Sequence, residues 1–404
     1  MRTGVLSARN RWSPRVRIFA MFFLYSLALG GIFPRLGDLQ LSMGIGEGAL
    51  GAALVGMAFG TQIAFMFVGP LLLRFGHRAA LLVCIPFLAL FETIATLSPT
   101  PLVLFTLLAI CGLAVGTIEL VINLEADRTE HLMGRRLMNR AHAFWSLGFF
   151  FAGMVGAGLK QANVSAFMHL CVMGILVSAA VFMLLGKYRQ APPRPEHGVP
   201  APRFVRPTRG ILAIVGFTLS AMMMEGASID WSVIYMRDVF GTAPFINGLA
   251  FAIGALAMAL TRFFADGYID RYGAGSVARL LVLVLGAGVV LVTFASHPVL
   301  AILGFAFIGM GGSVMFPLAI SAAAQMTDRP AATNVAALAQ LSFITFLVAP
   351  PILGFVAQNF GIRVSFGLGL PMVVLSWFLL FTLAPQKAKM GGSQPKKRSH
   401  NECA

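Results

Sequence analysis

An all-α membrane protein with twelve transmembrane helices in two six-helix halves is the fold class this chain predicts, and three observations predict it. Hydrophobic residues fill 58% of its 404 positions and charged residues only 11%, with a mean hydropathy of +0.84, far outside the range of soluble domains. Long apolar runs recur between Arg17 and Pro385 in two sets of six, split by the Pro/Arg-rich stretch Lys187 to Arg209. The cations gather in alternate connections between those runs, as the inside-facing loops of a polytopic protein do.

Length justifies each span. A bilayer core takes about 20 mostly apolar residues per helix. Such runs fall near 18–38, 48–72, 79–98, 101–124, 140–160 and 164–186, then near 210–236, 246–265, 277–296, 298–322, 333–357 and 363–384. Ser98-Pro99-Thr100-Pro101 and Ser296-His297-Pro298 separate neighbouring runs, because proline and short polar residues punctuate helices. The chain divides into an N-terminal segment (1–17), a first six-helix half (18–187), a linker (188–209), a second half (210–384) and a basic tail (385–404).

Of the 30 Lys and Arg, 26 fall on one side of this layout, Arg262 and Arg279 counted among them. Only Arg35, Lys160, Arg237 and Arg363 fall on the other. Both termini and the linker are therefore expected to be cytoplasmic. The net charge of +15 then has a topological origin, and nucleic-acid binding is not needed to explain it. Lys396, Lys397 and Arg398 in the tail are either plainly solvated or in touch with anionic membrane lipid. Cys84, Cys111 and Cys171 lie in predicted spans and Cys403 in the tail, so no disulfide framework is expected. The Arg-rich start lacks a small-residue cleavage site, so the first apolar run reads as a retained span.

The halves overlay at an offset of about 197 residues. Gly69-Pro70-Leu71-Leu72-Leu73-Arg74-Phe75-Gly76-His77-Arg78 after span two falls on Asp266-Gly267-Tyr268-Ile269-Asp270-Arg271-Tyr272-Gly273 after span eight, and Gly112 falls on Gly309. A duplicated six-helix unit accounts for this. At these residues the chain resembles the major facilitator superfamily, whose hallmark between spans two and three is Gly-x3-Asp-Arg/Lys-x-Gly-Arg/Lys-Arg/Lys, with a degenerate copy between spans eight and nine. The resemblance runs from about residue 18 to residue 384 and implies a transporter of the bacterial inner membrane, expected as a monomer. It also implies that Gly69, Arg74, Gly76, Arg78, Asp270, Arg271 and Gly273 form gating loops that lock the halves. The first copy has Leu73 where the family usually has Asp, so its latch must be weaker or use other groups. Arg74, His77 and Arg78 are otherwise simple inside-facing charges.

Charges within spans cost at least about 2.5 kcal/mol each at a helix centre and tend to face cavities. Glu92, Glu119, Glu225 and Asp230 are the mid-span acids; Glu92, near the end of span three, reads as structural. Glu119 and Asn123 stand four apart on one face of span four, and His142, Trp145 and Ser146 share a face of span five. Acid, amide, imidazole, indole and hydroxyl together suit a polyol, whose hydroxyls take polar groups bidentately and whose apolar face takes an aromatic ring. Here the chain looks like the fucose/galactose/glucose–proton symporter branch, with its Gly-rich span four carrying Glu-x3-Asn and a span five opening on Arg136-Leu137. That likeness implies that Glu119 binds substrate or a proton. The alternative is a satisfied polar residue at a helix interface. The branch also places an Asp midway along span one, where this chain has Phe33, so another acid is required for proton coupling.

Span seven supplies one in Met224-Glu225-Gly226-Ala227-Ser228-Ile229-Asp230-Trp231-Ser232, a segment that also resembles bacterial facilitator proteins of undefined substrate. Glu225 and Asp230 do not share a helical face unless the helix opens at Gly226, and broken helices are where transporter sites form. Glu225 reads as the deeper titrating acid. Asp230 reads either as a gate or as a structural partner of Arg35 or Arg237. Trp231, Gln325 and Gln340 are further substrate-binding candidates. Gly56-x3-Gly60 and Gly112-x3-Gly116 read as close-packing motifs, and Ala349-Pro350-Pro351 as a kink in span eleven.

Three functional classes follow. Proton-coupled symport of a small polar solute, a sugar by the resemblance, with alternating access, comes first. A proton-coupled multidrug or metabolite exporter comes second; drug antiporters of the superfamily carry Gly-x-x-x-Gly-Pro in span five, and Gly153, Gly156 and Gly158 here lack that Pro. A membrane enzyme comes last, since the chain offers no metal-ligand cluster, no Gly-x-Ser-x-Gly and no phosphate loop, and no cofactor is expected.

Overall fold

A computed structural model describes residues 13–192 and 206–383 of the chain, and no strand occurs among them. The start of the N-terminal segment, the middle of the linker, and the tail with Lys396, Lys397, Arg398 and Cys403 lie outside the described residues.

Local chemistry sets the helix ends. The Ser13 side chain caps α1 (Pro14–Leu29), which has Pro at its first turn. Span one then breaks at Gly30-Gly31, passes a 3-10 turn (Phe33–Arg35) and resumes as α2 (Leu36–Met43). α3 (Glu47–Ala95) has 49 residues, about 74 Å if straight, more than twice a bilayer core of about 30 Å. It folds back at Gly76 (φ 77, ψ 162), so it supplies spans two and three. α4 (Pro101–Met133) starts on a Thr100 cap with Pro101 at its first turn. α5 (Met138–Gln161) and α6 (Ala166–Leu185) finish the first half.

The second half contains α7 (Arg209–Phe240), α8 (Pro244–Tyr272), α9 (Ala274–Phe294), α10 (Pro298–Gly312), α11 (Met315–Ala324), α12 (Ala331–Phe360), α13 (Ile362–Gly367) and α14 (Gly369–Phe378), with a closing 3-10 turn (Leu379–Leu383). Among the described residues eleven helical stretches are long and apolar enough to cross a membrane, and the fold at Gly76 makes the longest of them two, which gives the twelve.

One expectation about helix breaks changes. α7 is continuous through Gly226, so Glu225 and Asp230 stay on different faces. The interruption falls instead in span ten, at Ser313-Val314 between α10 and α11. α12 runs through Pro350 and Pro351 without ending, and the Pro350 carbonyl lies where a Cβ on Gly51 would come within 2.5 Å of it.

The offset of about 197 extends to backbone conformation. Gly44 (φ 64, ψ 35) and Gly241 (φ 59, ψ 29) end spans one and seven in the same left-handed cap, and Gly76 and Gly273 (φ 80, ψ 151) turn the paired loops alike. Gly112 abuts the Met57 carbonyl and Gly309 the Gly254 carbonyl, the same helix contact made twice. Gly56 and Gly60 likewise lie against the backbone of Phe105 and Ala109, the close approach that small residues permit.

Two apolar cores result. One holds mainly residues of the first half; the other holds the second half and also takes in Ile32, Leu36, Leu39, Leu50 and Ala53. These five lie at the end of the bundle opposite the linker, here called the far end, where the halves are fused. Large apolar side chains such as Leu73, Met183 and Phe378 face outward, as a lipid-exposed surface requires.

Candidate functional site: a polar strip between the halves

α4, α5, α7 and α8 bring their polar groups together at mid-bundle. Asn123 donates from Nδ2 to the Glu119 carboxylate (3.1 Å) and to the Glu119 carbonyl (2.8 Å), and its Oδ1 lies 3.1 Å from His142 Nε2. Phe22 meets the His142 ring edge-on at 5.0 Å. One turn along α5, Ser146 is buried and accepts a hydrogen bond from Arg262 (2.8 Å). Arg262 also donates through Nε to the Ser313 carbonyl (2.9 Å) and through its second terminal nitrogen to Glu225 (3.4 Å). Its guanidinium carbon stands 5.7 Å from the centre of the Trp145 ring.

Sequence position puts Arg262 with the loop cations; the structure corrects this. It lies within α8, only 8% exposed, and ties α5 of the first half to α7 and to the span-ten break of the second. The carbonyl freed where span ten opens is the one that receives it. Its place inside the predicted span 246–265 was the available signal, since a cation inside a span faces a partner or a cavity.

The other predicted residues divide. Asp230 pairs with neither Arg35 nor Arg237: Arg35 engages Asp38 (3.0 Å), His169 and the Val164 carbonyl, and Arg237 engages the Gly37 carbonyl, Gln40 and Asp238. Trp231 is buried in the second-half core. Gln325 is exposed at the end of α11, bonded to Ser321, and Gln340 is half-buried on α12. Glu92 is fully buried, and neither carboxylate oxygen finds a partner among the described residues.

The gating loops also divide. His77 pairs with the fully buried Glu125 of α4, which also faces Arg128 (3.7 Å) and accepts from the Ala191 amide (3.0 Å). Gly69, Arg74 and Arg78 are exposed, and neither arginine forms an ion pair among the described residues. In the second copy, Asp270 binds Arg136 (2.9 Å) and Asp266 accepts from Asn139 (2.5 Å), both at the start of α5. Arg140 lies 5.6 Å over Phe263, and Arg271 stacks on Tyr272. Glu125 gave little signal, since it sits in a run of mixed charges after span four.

A cavity of about 30 Å³ lies beside the strip, lined by Trp145, Ser146, Phe149, Glu225, Ser228 and Phe251 among others. It has room for one or two waters.

Comparison with known proteins agrees with this architecture. The family model of the Major Facilitator Superfamily matches residues 18–343 and again 213–401. An uncharacterized MFS-type transporter of Yersinia pestis is 28% identical over 364 residues, covering 88% of this chain and 92% of that protein. An uncharacterized transporter of Sinorhizobium fredii is 27% identical, covering 89% and 95%. Among solved structures, nucleoside transporter NupG superposes with a TM-score of 0.72 at 14% identity, covering 92% of this chain and 100% of that one. With its helix order, repeat and inter-half strip, the chain belongs to the Major Facilitator Superfamily.

Proposed function

We propose that the protein is a proton-coupled symporter of a small polar solute, sugar-like in its hydroxyls, working by alternating access in a bacterial inner membrane with both termini cytoplasmic. The observation that carries this reading is the strip that crosses the halves: Glu119, Asn123 and His142 on one side, Arg262 and Glu225 on the other, joined at Ser146. Amide, imidazole and carboxylate supply the donors and acceptors a polyol needs.

Glu225 is the coupling acid in this scheme. A proton on its carboxylate removes the charge that Arg262 balances and so changes the charge carried by the guanidinium that bridges to Ser146 of the first half. Glu119 is the solute-facing acid, and Asp230, further toward the far end on α7, is the gate-side acid. A transport site at mid-bundle, between repeats and beside a broken helix, fits the general design of such carriers.

Proteoliposomes carrying the full chain test this by solute uptake and proton flux, with wild type beside Glu119→Gln and Glu225→Gln. Solute-dependent proton uptake that both substitutions abolish is expected. Solute uptake with no proton movement would overturn the coupling; dye extrusion that needs Glu225 and tolerates Glu119→Gln would replace symport by export.

A further inference from the structure

We infer that the solute carries a carboxylate, received by Arg262, which bonds to Ser146 and Glu225 in the wall of the cavity between the halves, so that the substrate class is a hydroxylated acid rather than a neutral sugar. The inference rests on the transporter reading above and narrows its substrate.

Donors without acceptors converge here. Guanidinium has five N–H donors and no acceptor, and Arg262 commits three of them, to Ser313, Ser146 and Glu225. The Trp145 indole nitrogen, also donor-only, is buried without a partner among the described residues, and so is the Ser228 hydroxyl; both residues line the cavity. A buried donor left unmade costs about 1–3 kcal/mol, so this cavity is preorganised for an acceptor-rich ligand. A neutral polyol brings a donor with every hydroxyl and no charge, whereas a carboxylate is acceptor-only and brings the charge that a buried guanidinium requires.

Charge balance gives the exchange. Glu225 on α7 lines the cavity, Arg262 on α8 bonds to Glu225, and the other ionisable groups of the same bundle faces are Glu119 on α4, His142 on α5 and Asp230 on α7. Arg262 is balanced by Glu225 at 3.4 Å, a loose contact for a charge-assisted bond. A proton from bulk water on the Glu225 carboxylate leaves Arg262 uncompensated, and the solute carboxylate takes that place. Proton and anion then travel together with no net charge moved. The Asn123 and His142 side of the strip, one turn from Ser146, is left to bind the hydroxyls.

Matched pairs of solutes test the inference in proteoliposomes: gluconate against glucose, galacturonate against galactose, glycerate against glycerol. Uptake of the acid member is expected, with Arg262→Gln lowering it by about tenfold or more, the worth of a charged hydrogen bond. Arg262→Lys should restore part of it, since a point charge lacks the guanidinium fork. Thermal unfolding of each variant shows whether it is folded, and quenching of Trp145 fluorescence by the acid reports binding apart from transport. Uptake of the neutral members, acid uptake that survives Arg262→Gln, or no response to any acid by uptake or fluorescence would each overturn the carboxylate. Acid uptake without proton movement would leave the carboxylate standing and sink the coupling.

Discussion

Gly76 and Gly273 turn the chain through one backbone conformation at equivalent points of the two halves, yet the polar groups around them reach in different directions. Beside Gly76, His77 turns inward to Glu125, and Glu125 in turn holds Arg128 and the Ala191 amide at the start of the linker. Beside Gly273, Asp266 and Asp270 turn outward to Asn139 and Arg136 on the other half. The first loop thus staples one half to its linker, and the second clasps the two halves. A duplicated scaffold fixes the turn, and where the carboxylate sits decides what the turn holds. Leu73 marks the difference: the first loop has no acid at that position, and Glu125 of a neighbouring helix supplies one.

Glu125→Ala should have the largest effect. It leaves His77 and Arg128 without their buried acid and costs about 3 kcal/mol, read as a lower unfolding temperature in detergent. An unchanged midpoint would mean that the staple carries no stability. Gly76→Ala and Gly273→Ala come next and should match each other, at about 1–3 kcal/mol each. No side chain crowds Gly273, and only Gln190 approaches Gly76, at 3.4 Å, so the shared cost is backbone strain. Unequal losses would break the symmetry of the turns.

Asp270→Asn should hardly alter stability, by about 0.5 kcal/mol, because the Arg136 pair is 64% and 63% exposed and solvent screens it. Its effect belongs to the conformational balance. On a background without the 4 native cysteines, maleimide labelling of Met258→Cys in the cavity should rise about twofold, the factor that about 0.4 kcal/mol yields. Equal labelling with and without Asp270 would show that the second loop does not clasp. Leu73→Asp should do least. Leu73 is 91% exposed and Glu125 already serves His77, so any clear rise in unfolding temperature would show that the staple still lacks an acid.

The spans were legible because apolar length is a property of sequence alone, and the repeat because glycines that need positive φ or close approach keep their spacing. The faces of α4 and α5 were legible for the same reason: Glu119 and Asn123, then His142 and Ser146, are separated by one helical turn and meet as expected. Which way a whole helix rotates in the bundle is set by packing, and there sequence reading ended. Asp230 and Trp231 are neighbours in the chain, yet Trp231 enters the core while Asp230 does not. Arg262 was obscured by a counting rule suited to loops, and the break in span ten by glycines that read equally well as packing residues.

The two ends of the bundle carry cross-half bonds of different kinds. At the far end Arg237 donates to the neutral acceptors Gly37 and Gln40, Gln358 accepts from the Gly48 amide, and Gln161 accepts from the Phe245 amide. At the linker end the closure across the halves includes the exposed Arg136–Asp270 ion pair. Mobile ions weaken exposed ion pairs as the Debye length falls from about 10 Å at 0.1 M to about 3 Å at 1 M, and they act less on partly buried bonds to neutral acceptors. Ionic strength is therefore an uneven handle on this carrier: raising it weakens the exposed linker-end pair more than the partly buried bonds of the far end.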